Sequence, residues 1–316
     1  MTTEEIYFND VVLYWLQSVK DRNALSTYVK YRQLSQNHIF PFFSEIGITH
    51  MTPRMLERFR LHLLNDGYTQ GPAVSPGNLR CIIMIMNHTL QLAHSKNLIP
   101  VPLTLSLRLG KAKNVARVFL QEEQVKLESY IKQNMNLSTF GIYLCLYTGL
   151  RLGELCSLRW CDIDLEGSYI HIRHTVQRLP LENLSSEKKT NLIISEPKSV
   201  FSIRMIPIPE FLYGSIQTLA ENYTGLDYVL TGSQCPMEPR TMQYRYKKCL
   251  QEADIRYLNF HTLRHTFATR CIMAGMDPKT LSEILGHSDI KITLEYYFHS
   301  SLEFKKKQMN LLTALS

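Results

Sequence analysis

Apolar residues recur at helical spacing through the first hundred positions of the chain. Over residues 6–19 they fall at Phe8, Val11, Val12, Tyr14, Trp15 and Val19, a stripe that predicts an amphipathic helix. A second helix is predicted over 26–46, bent or interrupted at Pro41, because proline removes a main-chain donor and crowds the preceding turn. Thr52-Pro53 and Ser75-Pro76 each set a capping hydroxyl before a first-turn proline, and they open predicted helices over 54–64 and 78–96. Asn65-Asp66-Gly67 ends the first of these, and Asn97 and Pro100 close the second. In the second, Ile82, Ile83, Ile85, Met86, Leu90 and Leu92 form a broad apolar face.

The pattern changes after residue 100. Residues 101–117 have no helical period, contain Gly110, and carry Arg108, Lys111, Lys113 and Arg117, which marks a basic linker. The division expected is a helical domain at 1–105, a linker at 106–117 and a second domain at 118–316. That domain opens with Gln121-Glu122-Glu123, acidic residues suited to a helix's first turn. A helix predicted over 139–147 stops at Thr148-Gly149, and an amphipathic helix follows from Arg151 to Trp160. Residues 169–177 alternate and are β-branched, which predicts a strand. Second and third strands are predicted over 191–195 and 202–208, around a turn at Glu196-Pro197-Lys198-Ser199, with Lys198 at the tip. Further on, a helix starts at His261 and ends by Gly275, and Asp277-Pro278 opens another that stops at Gly286. The tail keeps apolar spacing at Leu302, Phe304, Met309, Leu311, Leu312 and Leu315, which predicts a terminal helix. The fold class expected is therefore mainly α with a small antiparallel β-sheet, in two domains.

Composition narrows the partners. At 316 residues, 45% hydrophobic and 20% charged, the chain has the make-up of an ordinary globular protein of about two domains. Its formal net charge of +7 favours a polyanion as partner. The first helices carry Lys20, Arg22, Lys30, Arg32, Arg54, Arg58, Arg60 and Arg80; singly each is a solvated side chain, but as a set they could grip a DNA backbone. Seven cysteines without a close pair predict reduced thiols and no zinc site. The acidic start MTTEEIYFND and the lack of a long apolar run predict no signal peptide and no membrane span, hence a cytoplasmic protein.

Candidate chemistry gathers in the second domain. His261 and Arg264 are three apart and share a helical face, His287 follows the turn at Gly286, and Tyr296-Tyr297 lie beyond it. Arginine offers a planar fork of donors to non-bridging phosphate oxygens, histidine donates or moves a proton near neutral pH, and a tyrosine can attack phosphorus. Arg151 follows the glycine turn at 149, where backbone amides and a guanidinium could meet a phosphate, and Glu154 could orient it. The His261–His265 pair lacks a zincin's glutamate and sits beside Arg264, so it is read as structural and not as a metal site.

These residues resemble the tyrosine recombinase (phage integrase) family. The boxes are Gly149-Leu150-Arg151-Leu152-Gly153-Glu154-Leu155, Lys198 with Ser202-x-Arg204-x-Ile206-Pro207, His261-x-Leu263-Arg264-His265, Leu285-Gly286-His287-Ser288 and Tyr297-x-His299. The resemblance spans about residues 117–300, and the helical N-terminal part is similar to the family's core-binding domain. It implies that Arg151 and Arg264 clamp the scissile phosphate, supported by Glu154. It implies that His261 and His287 bond phosphoryl oxygens, and that Lys198 protonates the leaving 5′-hydroxyl. Tyr297, ten residues beyond His287, matches the nucleophile. Where the family often has a second lysine the chain has Val200, and Lys188 or Lys189 stays open as an alternative acid. The resemblance implies double-stranded DNA with inverted-repeat core sites as substrate, a homo-tetramer on two sites, room for accessory DNA-bending proteins, and no metal or cofactor.

Three other readings stand beside this one. Residues 277–292 have the look of a helix-turn-helix, as in a non-catalytic DNA-binding regulator. A type IB topoisomerase would use the same covalent chemistry. A Xer-like resolvase or invertase would use it on sites within one replicon, whereas the polar stretch at 178–190 favours a mobile-element integrase. A first helix starting near residue 4 is expected to leave no room for an arm-binding domain, and the tail helix is expected to dock on a neighbouring protomer.

Overall fold

The structure, a computed structural model, describes residues 5–65, 74–107, 117–180, 190–196, 202–287, 290, 306 and 309–310. The chain packs as two compact units, Met1–Ala112 and Lys113–Ser316. The first unit contains, among its described residues, helices α1 (Phe8–Arg22), α2 (Leu25–Leu34), α3 (Pro53–Asn65) and α4 (Pro76–Ser95). The Ser75 side chain accepts the Asn78 N–H and the Thr52 side chain that of Met55, both at 3.3 Å, so the two capping signals act as their sequence implies. The helix expected over 26–46 is shorter. After α2 the chain makes one π-helical turn, Ser35–Ile39, and stops at Phe40, because Pro41 has no N–H to continue it. The ring of Phe43 lies 4.9 Å from those of Phe8 and Phe59, amid buried Ile39, Ile82, Ile85 and Leu90.

The second unit is built around a helix buried on nearly all sides, α6 (Leu137–Thr148), with α5 (Gln121–Gln133) beside it. Phe140, Ile142, Leu144 and Leu146 of α6 are all fully buried, and each such side chain contributes about 1.5–3 kcal/mol. Gly149 ends α6 at φ +66°, and a Cβ there would stand 2.6 Å from the Phe267 ring. Helix α7 (Leu152–Ser157) follows at once, capped by Arg151. Gly153 lets α7 press on the next sheet, since a Cβ would meet the Val176 carbonyl oxygen at 2.7 Å.

The β structure differs from expectation. Strands β1 (Ile163–Asp164), β2 (Tyr169–Ile172), β3 (Thr175–Pro180), β4 (Thr190–Ser195) and β5 (Arg204–Pro207) make two separate sheets. The single strand expected over 169–177 breaks at Arg173-His174. There the Ser157 hydroxyl donates to the His174 carbonyl at 2.8 Å and draws that group out of the ladder. β2 then pairs antiparallel with β5 in the order β1-β2-β5, and β3 pairs with β4. β4 and β5 therefore lie in different sheets and are not two arms of one hairpin; of the turn expected between them, residues 197–199 lie outside the described residues. Helices α8 (Tyr213–Ala220) and α9 (Pro239–Glu252) follow, the latter burying Met242, Tyr246, Cys249 and Leu250.

The closing helices match their signals: α10 (His261–Met273) and α11 (Pro278–Leu285), with the Asp277 carboxylate capping the Thr280 N–H at 2.8 Å and Gly286 left-handed at φ +65°. Thr266 on α10 accepts the Phe119 N–H at 3.0 Å and so ties the start of the unit to this helix. All seven cysteines are free. No described helix is long and apolar enough to cross a membrane. Of the expected tail helix only residues 306, 309 and 310 are described.

Candidate active site

Arg264, one turn into α10, is 1% exposed. Its Nη1 donates to the Gly149 carbonyl at 2.8 Å and its Nη2 to the Leu285 carbonyl at 2.6 Å. Both acceptors lie at helix C-terminal ends, those of α6 and α11, where the aligned peptide dipoles are negative. A guanidinium buried in apolar surroundings would be costly, and these two carbonyls offset part of that.

Arg151 reaches the same place from the cap of α7. Its Nη1 donates to Glu154 Oε1 at 2.7 Å and its Nη2 to the Gly286 carbonyl at 2.8 Å. Its own N–H donates to Glu154 Oε2 at 2.9 Å, so this amide is taken by the carboxylate and is not the phosphate donor expected at that turn. The Arg151 side chain stays 34% exposed, while that of Glu154 is 3% exposed.

The role of the third arginine was not legible in the sequence beyond its place in a box. Arg204 enters from β5, where Ile172 is its antiparallel partner, and its side chain is 6% exposed. It holds both Glu154 oxygens in a fork at 2.9 and 3.0 Å, and its Nε donates to the Ile284 carbonyl at 2.6 Å. The available signal was strand parity: Arg204 and Ile206 point the same way, and Ile206 is in the core. A charge on an inward strand position needs a buried partner. Three consecutive carbonyls, those of Ile284, Leu285 and Gly286, thus each receive a different arginine.

Burial alone would raise the Glu154 carboxyl; the Arg204 hydrogen bonds and the charges of Arg204 and Arg151 outweigh it and hold the group at about 2. His287, just past Gly286, is pushed down to about 3, first by desolvation and then by Arg264, Arg151 and Arg204. His261, the first residue of α10, is lowered to about 4 by desolvation, by His265 and by Arg264 and Arg151. Its outer edge remains exposed, where solvent screening softens these influences. The His265 ring stands edge-on to His261 at 4.6 Å. Both site imidazoles are therefore neutral at pH 7, each with one N–H to donate.

The structure thus brings Arg151, Glu154, His261, Arg264 and His287 to one place and adds Arg204. Two of these guanidiniums, those of Arg151 and Arg204, face the Glu154 carboxylate, and the third, Arg264, is held by main-chain carbonyls alone, so these groups carry an excess of positive charge suited to an oxyanion. Lys198, with its alternatives Lys188 and Lys189, and Tyr297, with its neighbour Tyr296, lie outside the described residues.

Comparison with known proteins adds to this geometry. Residues 117–303 match the phage integrase family, and residues 7–64 match the phage integrase N-terminal SAM-like domain. A XerC-like tyrosine recombinase of Caldanaerobacter subterraneus subsp. tengcongensis is 31% identical over 204 residues, 60% of this chain and 52% of that protein. The ICEBs1 integrase of Bacillus subtilis is 23% identical over 309 residues, 94% of this chain and 80% of that protein. The chain spans about half the length of several curated relatives that it matches. A solved structure of the Tn1549 transposon integrase in complex with transposon right end DNA shares the fold, with a TM-score of 0.76 and 21% identity, covering 98% of this chain and 100% of that one.

Proposed function

The chain belongs to the phage integrase family, and from that premise we propose that it is a site-specific DNA recombinase of a mobile element. The observation that carries this reading is the cluster of Arg151 and Arg204 on the carboxylate of Glu154, with Arg264 held on main-chain carbonyls of the same site, beside two neutral histidines. A phosphodiester brings one negative charge to such a site and gains more as its phosphorus becomes five-coordinate. Arg151 and Arg264 take up that charge from fixed positions, which is how preorganised donors lower a barrier. His261 and His287 donate to the non-bridging oxygens.

In the reaction proposed, the Tyr297 hydroxyl gives its proton to the unprotonated ring nitrogen of a neutral site histidine, His261 or His287, and its oxygen attacks the scissile phosphorus. A bond forms from its oxygen to phosphorus, and the bond to the 5′-oxygen breaks. That oxygen leaves as a hydroxyl, taking its proton from Lys198. The 3′-phosphotyrosyl ester keeps the bond energy, so a 5′-hydroxyl from a second strand reverses the step and rejoins DNA without a nucleotide cofactor. The substrate proposed is double-stranded DNA with inverted-repeat core sites, held by a tetramer across two sites. The mobile-element assignment draws support from the ICEBs1 and Tn1549 integrases, whose names place them on such elements.

The test uses a nicked duplex bearing the element's end sequence, in which cleavage releases a short fragment and traps the covalent intermediate. Wild type and Tyr296→Phe are expected to give a protein–DNA adduct on a denaturing gel, and Tyr297→Phe none. Joining of strands between two intact sites then separates a recombinase from a topoisomerase. Specific DNA binding with no adduct from wild type would instead point to a regulator.

A further inference from the structure

Arg204 makes no approach to the DNA in the mechanism above, yet it is among the most completely enclosed charges of the unit. Its side chain is 6% exposed and its fork engages a carboxylate that is itself 3% exposed. The geometry links it to three parts of the site. Through Nη1 and Nη2 it fixes both oxygens of Glu154, at 2.9 and 3.0 Å. Glu154 in turn accepts from the Arg151 guanidinium and from the Arg151 N–H. Through Nε, Arg204 bonds the carbonyl of Ile284, in the last turn of α11, and His287 begins just past that turn.

We propose that Arg204 is a positioning residue for the phosphate site: through Glu154 it sets the orientation of Arg151, and through the Ile284 carbonyl it holds the end of α11 that presents His287. This inference rests on the recombinase reading for its catalytic consequence. Its physical basis is independent of that reading. A carboxylate with one guanidinium partner can rotate about its terminal torsion, which is broad and soft. A carboxylate held by two oxygens in an arginine fork cannot. Glu154 is held in this way by Arg204, which leaves Arg151 as the group that Glu154 aims. Lysine at position 204 would keep a charge near Glu154 but could not supply two parallel donors and a third to Ile284.

Two measurements on the full chain test this. In the first, single-turnover cleavage of the nicked duplex is followed in wild type, Arg204→Lys and Arg204→Gln from pH 5 to pH 8, together with DNA affinity. Misplacement of Arg151 by about an ångström is expected to slow cleavage about 10²-fold while affinity is kept. Arg204→Lys is expected to recover part of that loss. Glu154 is held at about 2 in the wild type and gives no limb between pH 5 and pH 8; without the fork its burial raises it, so an acid limb is expected to enter that window in Arg204→Gln. Arg151 and Arg204 face Glu154 directly, and His261 lies nearby, so the limb is assigned by its loss when Glu154→Gln is added to Arg204→Gln. A purely structural arginine would lower the melting temperature of the variants without bringing in that limb.

The second measurement does not need activity. The Nε–H resonance of the Arg151 guanidinium, assigned by its loss in Arg151→Lys, is compared in wild type and Arg204→Lys. Shift or broadening in the variant supports positioning even if wild-type protein forms no adduct, an outcome that would defeat the recombinase reading alone. An unchanged Arg151 resonance, or an Arg204→Gln protein that cleaves at the wild-type rate with the wild-type pH profile, overturns the proposal.

Discussion

Glu154 sits between two guanidiniums, and its removal separates charge from shape. Glu154→Gln keeps the volume but leaves Arg204 buried without its counter-charge, which costs about 3–5 kcal/mol. Thermal or urea unfolding of the variant is expected to show that loss, and a change below about 1 kcal/mol would mean the carboxylate is not needed as a charge. Acid should act on the same cluster from two sides. The folded pKa of His287 lies below its ordinary value of 6.5, so the unfolded chain takes up that proton first, and stability falls as pH drops from 6.5 toward about 3. Glu154 is also depressed, so its contribution is complete above 4.5 and is lost as pH falls toward about 2. The urea midpoint is therefore expected to decline steadily from pH 7 to pH 4, and His287→Asn should flatten the part of the curve nearest neutrality. At this scale Arg151, Glu154, His261, Arg264 and His287 were legible because spacing of three along a helix, or a place beside a glycine turn, fixes direction. Arg204 was legible as a residue but not in its role, because a strand's period gives the face and not what waits there.

Secondary-structure elements were read best where a side chain forces the geometry. Ser75-Pro76, Asp277-Pro278, Gly149 and Gly286 each do so, and the structure places a helix end at all four. The two errors of extent have one origin each. The π-helical turn that follows α2 ends at Ile39 because Pro41 terminates the helix and does not merely bend it. The strand at 169–177 divides because the chain changes partners between Ile172 and Thr175: Ile170, Ile172 and Val176 are buried, but His174, which the alternation would place inward, is exposed. Alternation reports which face is inward and is silent on which strand lies alongside. Gly149 carries the sharpest prediction at this scale. Alanine there meets an unfavourable left-handed backbone, worth about 1–2 kcal/mol, and a Cβ 2.6 Å from the Phe267 ring adds to it. Gly149→Ala should lower the melting temperature and also disturb Arg264, which bonds the carbonyl of that same residue.

For the whole molecule, an α-rich fold followed from the helical spacing of apolar residues through most of the chain. The packing of each unit could not be read that way, since helix spacing does not say which helices meet; that α6 would lie at the centre of the second unit showed only in its near-total apolarity. The net charge of +7 belongs to this scale as well. If the chain grips a DNA backbone over six or more phosphates, its affinity should fall about 10³-fold or more between about 50 and about 200 mM salt. Titrations of labelled duplex across that range check this, and a flat response would argue against backbone contacts as the main source of affinity.

The turn at the end of α11 would be nearly invisible to a mutational scan. Scans replace side chains, whereas Ile284, Leu285 and Gly286 serve the three arginines with main-chain oxygens that no substitution deletes. Apolar exchanges at 284 and 285 should pass as ordinary tolerance, and only Gly286, left-handed at φ +65°, should register as intolerant. A tolerance map of this protein would thus draw the site as isolated arginines and omit the stretch of backbone to which all of them are bound.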